Sequence, residues 1–275
     1  MKKLTKQILE YLDYCEKIKK LSALTLKNRR SFLLRFARSV PARNLSGLTN
    51  EMVENWFKNQ TWTGSTANVY LVEIKTLVKF FRKKGVRTRR LTPENFPHIK
   101  ETPKRRIYYT SEQISEVLKT CDELEWLLIR LSYECGLRIH ELVNLRLKNF
   151  DGQKITFVGK GRKLREVYMS REARSRLDEW MVNQKVCDKL WVRRGAEISR
   201  KQIDLSMRRA FERAGYKNFY PHSLRHSFAT AICLRGASLE VAKEMLGHAN
   251  INTTVRYVHS LEGRLEEFFE AYRFC

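Results

Sequence analysis

The stretch PHSLRHSFAT, residues 221–230, places two histidines four residues apart with an arginine between them. Positions i, i+3 and i+4 share one face of a helix, so His222, Arg225 and His226 are expected to point the same way. A zinc helix of the HExxH type needs a glutamate general base at position 223, where this chain has a serine. An arginine, which stays protonated, also suits a divalent cation poorly. The stretch therefore predicts an anion site at the start of a helix, with His226 as a packed structural residue.

The composition favours a nucleic-acid partner. The 275 residues include 54 Lys and Arg against 30 Asp and Glu, a net charge of +24, with 43% hydrophobic residues. An excess of this size favours a polyanion, although a solvated lysine-rich surface or a membrane-surface protein would have a similar composition. No apolar run approaches the roughly 20 residues of a membrane span. The first residues turn polar too early for a signal peptide, so we expect a cytoplasmic, nucleoid-associated protein.

Two other patterns argue against metal or nucleotide sites. The six cysteines form no CxxC pair, which predicts reduced and mostly buried thiols rather than a zinc cluster. The segment GKGRK, residues 159–163, resembles part of a phosphate-binding loop. It lacks the glycine that such a loop needs at position 154 and the serine or threonine that it needs at position 161. The sequence therefore predicts no cofactor and no metal.

A proline-rich and basic seam at residues 93–106 divides the chain. Residues 1–106 carry 25 Lys and Arg against 8 Asp and Glu, whereas the remainder carries 29 against 22. We expect a helical DNA-binding domain over residues 1–97, a basic linker over 98–106 and a second domain over 107–275. In the first half, apolar residues recur every three or four positions, which predicts about four short helices.

Basic runs of that half are expected on outer helix faces or ends, where they would contact DNA phosphates. Each run alone is more typical of a solvated face, but four in one small domain favour a phosphate-backbone footprint. The predicted contacts are Lys27, Arg29, Arg30, Arg82, Lys83, Lys84, Arg87, Arg89, Arg90, Lys104, Arg105 and Arg106.

The second half is predicted to be mainly α-helical with a small antiparallel β-sheet. Thr110 and Gln113 have capping-box spacing, and a helix closed by Gly136 is expected to follow. LRIHELVNLRL, residues 137–147, reads as another helix, whereas KITFVG and LREVYM read as strands on either side of GKGRK.

Five motifs in order, CGLRIHEL, GKGRK, HSLRH, LGHANINTT and VRYVH, resemble the tyrosine recombinase family of phage integrases and Xer-like site-specific recombinases. The resemblance covers roughly residues 107–260 and rests on the joint pattern, since each motif alone is weak. The first half matches only in its basic, four-helix character. The resemblance implies a two-domain DNA clamp, with a helical SAM-like core-binding domain and a catalytic domain. It also implies a catalytic set at matching positions: Arg138, Lys160, His222, Arg225, His248 and Tyr257.

Phosphodiester cleavage explains why these residue types are needed. Two guanidiniums, Arg138 and Arg225, can bind the nonbridging oxygens while negative charge grows in the transition state. Tyr257 is the expected nucleophile, which leaves a 3′-phosphotyrosyl bond and a free 5′ hydroxyl. Lys160 is expected to protonate the departing 5′ oxygen. Because the bond energy is kept, rejoining requires neither ATP nor metal.

The remaining residues of the set have supporting roles. His222 is expected to accept the tyrosine proton or to bind the phosphate, and His248 to donate to a phosphate oxygen. Glu141 follows Arg138 by three positions and could support that guanidinium.

The resemblance implies double-stranded DNA as partner and self-association into a tetramer on paired sites, without a membrane. Apolar residues at helical spacing in the last segment, residues 261–275, fit either a helix packed on its own domain or a tail docked on a neighbouring protomer. A type IB topoisomerase-like relaxase shares the same chemistry, and a catalytically silent DNA-binding protein is the third alternative. No arm-binding domain is expected before the first helices, and the target site is not specified by the sequence.

Overall fold

The computed structural model describes residues 2–96, 99–100, 107–159 and 164–247, without the side chain of Leu239. The chain divides into two compact units, Met1–Lys104 and Arg105–Cys275. No helix within the described ranges is both long and apolar enough to cross a membrane.

The first unit contains four α-helices, as the apolar spacing predicts. They are α1 (Lys3–Lys17), α2 (Ala23–Ser39), α3 (Asn50–Lys58) and α4 (Gly64–Lys83), with short 3₁₀ turns at Leu45–Gly47 and Pro93–Asn95. Ser22, Thr49 and Thr63 begin α2, α3 and α4, where each side chain accepts a hydrogen bond from a backbone N–H of the first turn. These caps satisfy donors that have no partner within the helix.

The apolar faces of these helices form one core. Leu33 and Phe36 of α2 pack with Ile74 and Leu77 of α4, and all four are fully buried. Aromatic residues extend this core, and the rings of Phe32 and Tyr70 stack with centroids 3.9 Å apart. The helical periodicity of this half therefore marks the core correctly.

The segment after α4 is tied to the first unit by polar contacts. Arg82 donates to the Thr88 hydroxyl over 2.8 Å and to the Leu91 carbonyl over 2.6 Å. The side-chain amide of Asn68 exchanges two hydrogen bonds of 2.8 and 2.9 Å with the backbone of Ile99. Ile99 therefore packs with the first unit, although it falls within the predicted linker of residues 98–106.

The second unit is mainly helical around α6. Its helices are α5 (Ser111–Lys119), α6 (Glu123–Glu134), α7 (Ile139–Val143), α8 (Arg171–Asn183), α9 (Arg200–Arg213), α10 (His222–Leu234) and α11 (Leu239–Leu246). Capping boxes begin α5 at Thr110 and α6 at Asp122, and the first of them was expected from sequence. α6 packs against α8, α9 and α10 and supplies the buried apolar residues Leu124, Trp126–Ile129 and Leu131.

The described part of this unit also contains two small antiparallel sheets. The first contains β1 (Phe150–Asp151), β2 (Lys154–Val158) and β3 (Leu164–Tyr168), with pairing that runs from Lys154↔Tyr168 to Val158↔Leu164. The second pairs β4 (Val192–Arg193) with β5 (Ala196–Glu197). The prediction of mainly α-helical structure with a small antiparallel sheet is confirmed, and β2 and β3 are the two predicted strands.

The prediction of one helix over residues 137–147 is wrong in its bounds. α7 ends at Val143, and a 3₁₀ turn at Leu147–Asn149 follows. Backbone bonds to a neighbouring segment replace the helical ones: the N–H of Leu147 donates to Asp188 over 2.8 Å, and the N–H of Leu190 donates to Leu145 over 3.0 Å. Tertiary pairing therefore overrides the local apolar pattern.

Candidate active site

Arg225 is buried within the second unit. It lies on α10 together with His222 and His226, as the sequence predicts, and the two imidazole rings are 4.7 Å apart between centroids. His226 is buried, which fits the expected structural role. The Arg225 guanidinium donates to the Gly136 carbonyl over 2.7 Å and to the Leu246 carbonyl. These bonds connect α10 to the ends of α6 and α11.

Arg138 is the N-cap residue of α7 and has 25% of its side chain exposed. Glu141 accepts from the Arg138 backbone N–H over 2.9 Å and from its Nη1 over 2.7 Å. The prediction that Glu141 supports this guanidinium is confirmed. The Nη2 group of Arg138 donates to the Gly247 carbonyl over 3.3 Å.

A third arginine, Arg165, also binds Glu141, and it was not among the predicted site residues. It lies on β3 with 6% of its side chain exposed. Its Nη1 lies 2.9 Å from Glu141 Oε2, and its Nη2 donates to the carbonyls of Cys135 over 3.2 Å and Met245 over 2.5 Å. A signal was present in the sequence: in LREVY, Arg165 occupies the same strand face as Val167, and that face is buried.

Glu141 joins the three guanidiniums, and we call Arg138, Arg165 and Arg225 the arginine cluster. Glu141 Oε2, the oxygen that binds Arg165, also lies 3.8 Å from Arg225 Nη1. Burial lowers the pKa of Arg165, Glu141 opposes that shift, and Arg138 adds to it. Within the described residues, three guanidiniums thus converge on one carboxylate, which concentrates positive charge around it.

The C-terminal end of α11 is the second anchor of the arginine cluster. The carbonyls of three successive residues, Met245, Leu246 and Gly247, accept from Arg165, Arg225 and Arg138 in that order. These carbonyls lie at the negative end of the helix dipole, where cations are stabilised. Sequence alone gave no signal for this pairing, because it joins residues of four different elements.

Gly136, whose carbonyl accepts from Arg225, has a backbone conformation that favours glycine. Its φ of +56° lies in the left-handed region, and a Cβ there would lie 2.3 Å from Cδ1 of Phe228. The turn between α6 and Arg138 therefore depends on glycine at this position.

Three predicted catalytic residues, Lys160, His248 and Tyr257, lie outside the described residues. Lys160 falls in the sequence between β2 and β3, and His248 directly follows Gly247. The structure thus brings together Arg138 and Arg225 of the predicted set, with His222 on the helix of Arg225. Within the described ranges, no group of three or more His, Cys, Asp and Glu residues has the arrangement of a metal site.

Of the predicted DNA contacts that the structure describes, all except Arg29 are exposed. Those whose residues are exposed are Lys27, Arg30, Arg82, Lys83, Lys84, Arg87, Arg89 and Arg90. Among them, Arg82 forms an ion pair with Glu94 and Lys84 forms one with Glu10. Lys104, Arg105 and Arg106 lie outside the described residues.

Arg29 departs from the expectation of an outer-face position. Its side chain is 13% exposed and forms an ion pair of 2.5 Å with Glu73. It also donates to the Tyr11 hydroxyl over 3.1 Å and to Cys15 Sγ over 3.2 Å. Arg29 therefore links α1, α2 and α4 within the first unit. Its guanidinium binds the Glu73 carboxylate on α4 and is largely buried.

A groove between α2 and α4 was not anticipated from sequence. It has a volume of about 610 Å³, and its lining includes Arg29, Arg35, Asn28, Ser31 and Thr66. The Arg35 guanidinium lies 5.0 Å from the centroid of a Trp62 ring, a cation–π arrangement that orients it. Beside its arginines and hydrogen-bonding side chains, the groove also contains the carboxylate of Glu73 and the apolar side chains of Phe32 and Val69.

Comparisons with known proteins agree on one family. The model of the phage integrase family matches residues 108–264. The chain is 34% identical over 209 residues to the tyrosine recombinase XerD of Neisseria meningitidis serogroup B, which covers 67% of this chain and 69% of that protein. It is 30% identical over 191 residues to the tyrosine recombinase XerC of Leptospira interrogans, which covers 66% of this chain and 60% of that protein.

Solved structures share the fold. The XerH site-specific recombinase in a post-cleavage complex with palindromic difH DNA has a TM-score of 0.77 and 22% identity, over 96% of this chain and 83% of that one. The Tn1549 transposon integrase in complex with transposon right end DNA has a TM-score of 0.78 and 15% identity, over 96% and 98%. At these identities the likeness shows the fold.

Proposed function

The chain belongs to the phage integrase family of tyrosine recombinases, and we propose that its arginine cluster is the phosphate-binding centre of the strand-transfer reaction. Enzymes of this family cleave and rejoin DNA strands. Because the relatives of this chain are Xer-type recombinases, this chain is a site-specific DNA recombinase. Nothing in the comparisons favours a topoisomerase-like relaxase or a silent DNA-binding protein.

One observation carries the proposal: Glu141 and the end of α11 together hold Arg138 and Arg225, which belong to different elements. A phosphodiester resists attack because the nucleophile approaches an anion and because the transition state adds charge to the nonbridging oxygens. Guanidiniums fixed before the reaction stabilise that charge without reorganising when it forms. Their fork geometry matches two phosphate oxygens.

Direct contact with a phosphate is the role that we propose for Arg138. This arginine keeps a quarter of its side chain exposed while Glu141 and Gly247 fix its orientation. Arg225 is more deeply set, and its carbonyl bonds hold the guanidinium in one plane. We assign the two arginines to the nonbridging oxygens of the scissile phosphate.

The other roles in the proposal rest on the order of the motifs. Tyr257 attacks the phosphorus and forms a 3′-phosphotyrosyl bond, while Lys160 gives a proton to the departing 5′ oxygen. His222 accepts the tyrosine proton or binds the phosphate, and His248 donates to a phosphate oxygen. The free 5′ hydroxyl of another strand then attacks the phosphotyrosine, which restores a phosphodiester and releases the tyrosine.

Double-stranded DNA is the proposed substrate of both units. In the first unit, we propose contacts from the exposed basic residues and from the groove between α2 and α4, and we omit Arg29 because of its internal ion pair. Each phosphate neutralised by these side chains releases counterions and strengthens binding. We further propose a tetramer on two paired sites and a cytoplasmic location in association with the nucleoid.

The experiment that tests the phosphate centre compares Arg138→Ala and Arg225→Ala with the wild type. The wild-type covalent complex is first recovered from a pool of DNA, and the attached DNA is sequenced to provide a substrate. Each arginine variant should form the covalent adduct roughly a hundredfold or more slowly, by analogy with the loss of one oxyanion-hole donor.

The control is Arg174→Ala, because Arg174 forms its ion pair with Asp178 on α8. This variant should keep the wild-type rate. Wild-type rates for Arg138→Ala and Arg225→Ala would exclude the arginine cluster as the phosphate centre.

A further inference from the structure

Arg165 contacts the same carboxylate and the same two helix ends that hold Arg138 and Arg225. Its Nη1 binds the Glu141 oxygen that also faces Arg225, while the other oxygen of Glu141 binds Arg138. Its Nη2 binds the Cys135 carbonyl at the end of α6 and the Met245 carbonyl at the end of α11. The neighbouring carbonyls, Gly136 and Leu246, accept from Arg225.

We propose that Arg165 is a positioning residue of the recombinase: it fixes β3, α7 and the ends of α6 and α11 relative to one another, so that Arg138 and Arg225 meet the scissile phosphate together. This inference rests on the proposed function of the arginine cluster.

A buried arginine at this position on β3 loses the hydration of its charge, which costs free energy. The same face of the strand carries the buried Val167, and the Arg165 guanidinium lies 5.4 Å from the centroid of the Phe157 ring. An apolar residue there would pack on Phe157 without losing the hydration of a charge, and apolar replacements of buried ion pairs are often neutral or stabilising. Burial lowers the pKa of Arg165, which is the sign of that lost hydration. Core stability alone therefore does not explain an arginine.

The geometry of the guanidinium does explain it. Arg165 contacts one carboxylate and three backbone carbonyls, and these four acceptors belong to three separate parts of the chain. A guanidinium presents five N–H donors in a rigid plane, whereas a lysine presents one compact ammonium. Only the planar fork can hold such separated acceptors in a fixed arrangement.

Gly247 lies beside the Arg165 side chain and directly precedes His248, a proposed catalytic residue, in the sequence. A Cβ at Gly247 would lie 2.9 Å from Cδ of Arg165, and the glycine has a φ of +59°. The Arg165 stem therefore packs against the residue at which the chain leaves α11, directly before His248. In the sequence, Lys160 precedes the strand that carries Arg165.

The test uses the full chain with Arg165→Met and Arg165→Lys. The substrate is the duplex recovered from the wild-type covalent complex, with either nonbridging oxygen of the scissile phosphate replaced by sulfur. Arg165→Met should form the adduct about a hundredfold more slowly, since small displacements of reacting groups have effects of that size. It should bind DNA as tightly as the wild type. Its preference between the two phosphorothioate isomers should shrink, because the arginines no longer hold the oxygens in one orientation.

Arg165→Lys separates the fork geometry from charge. It keeps a cation and a long stem, so we expect near wild-type thermal stability with a rate that stays low. Gly247→Ala leaves Arg165 in the chain but displaces its stem, and it should reduce both the rate and the isomer preference. Should Arg165→Met fail to fold, Arg165→Lys and Gly247→Ala decide the question.

The matched control is Arg213→Met, another arginine paired with a buried glutamate of the same unit. Arg213 binds Glu125 and donates to the Thr120 carbonyl over 3.1 Å, away from the arginine cluster. It should lose thermal stability while the folded protein keeps its rate and isomer preference. The inference is overturned if the Arg165 variants behave like this control. Absence of any adduct with the wild type overturns the proposed function, and this inference with it.

Discussion

Two of the three arginines in the cluster are almost inaccessible to water. Removing an ion from water costs several kcal/mol even after the protein relaxes, so such groups need closely placed partners. Arg165 and Arg225 receive them from Glu141 and from backbone carbonyls at the ends of two helices. The arrangement fixes positive charge where a phosphate oxygen would become more negative, which is the physical basis of the proposed catalysis.

Lys160 provides a prediction at the scale of one residue. Lys160→Ala should slow cleavage and leave DNA affinity nearly unchanged, because one phosphate contact among many contributes little to binding. A substrate with sulfur in place of the 5′-bridging oxygen has a leaving group that needs no proton. That substrate should restore the rate of Lys160→Ala in a single-turnover assay. If the variant stays equally slow on it, Lys160 is not the general acid.

Single residues also show where the sequence was informative. The spacing of HSLRH predicted that His222 and Arg225 share a helix, and the spacing of LRIHE predicted the support of Arg138 by Glu141. The first follows from helical geometry, and the second takes the form of a capping arrangement, in which Glu141 in the first turn of α7 accepts from the N-cap Arg138. Strand alternation indicates that Arg165 is buried, but the partners of Arg29 and Arg165 could not be read from their local sequence. Their surroundings are set by Glu73 on α4 and by the end of α11, which only the tertiary fold brings near.

At the scale of elements, caps and periodicity predicted most helices, and alternation predicted the hairpin of β2 and β3. The segment after Val143 is the clearest failure, because its apolar pattern suits a helix while its backbone pairs with residues 188–190. The role of α11 was also missed. Carbonyls have no sequence signature, so the three that bind the arginine cluster are visible only in the structure.

The C-terminal segment, residues 261–275, allows a prediction at this scale, although it lies outside the described residues. Its apolar positions recur at helical spacing: Leu261, Leu265, Phe268, Phe269 and Tyr272. We expect that deleting the segment abolishes recombination while single-strand cleavage and folding persist, because an exchanged tail would couple neighbouring protomers. Sedimentation of the deletion variant on its target DNA measures this. A tetramer of unchanged stability would assign the segment to its own domain.

In the whole molecule, the positive charge is divided unevenly between the two units. The first unit carries most of the basic excess and the groove between α2 and α4, whereas the second carries the arginine cluster. We therefore expect the first unit to supply much of the salt-dependent affinity for DNA and the second to supply the chemistry. The family resemblance could be read from ordered motifs in the sequence, whereas the support of the arginine cluster could not.

Tyr257→Phe shows whether this chain becomes joined to DNA through Tyr257, as we propose. The substitution removes one hydroxyl and keeps the ring, so folding and DNA binding should stay near those of the wild type. After incubation with a nicked target duplex, a denaturing gel should show a slow-migrating protein–DNA species for the wild type and none for Tyr257→Phe. An adduct that persists in Tyr257→Phe, with Tyr272 as the nearest alternative, would contradict the assignment. So would a wild type that binds DNA tightly and forms no adduct.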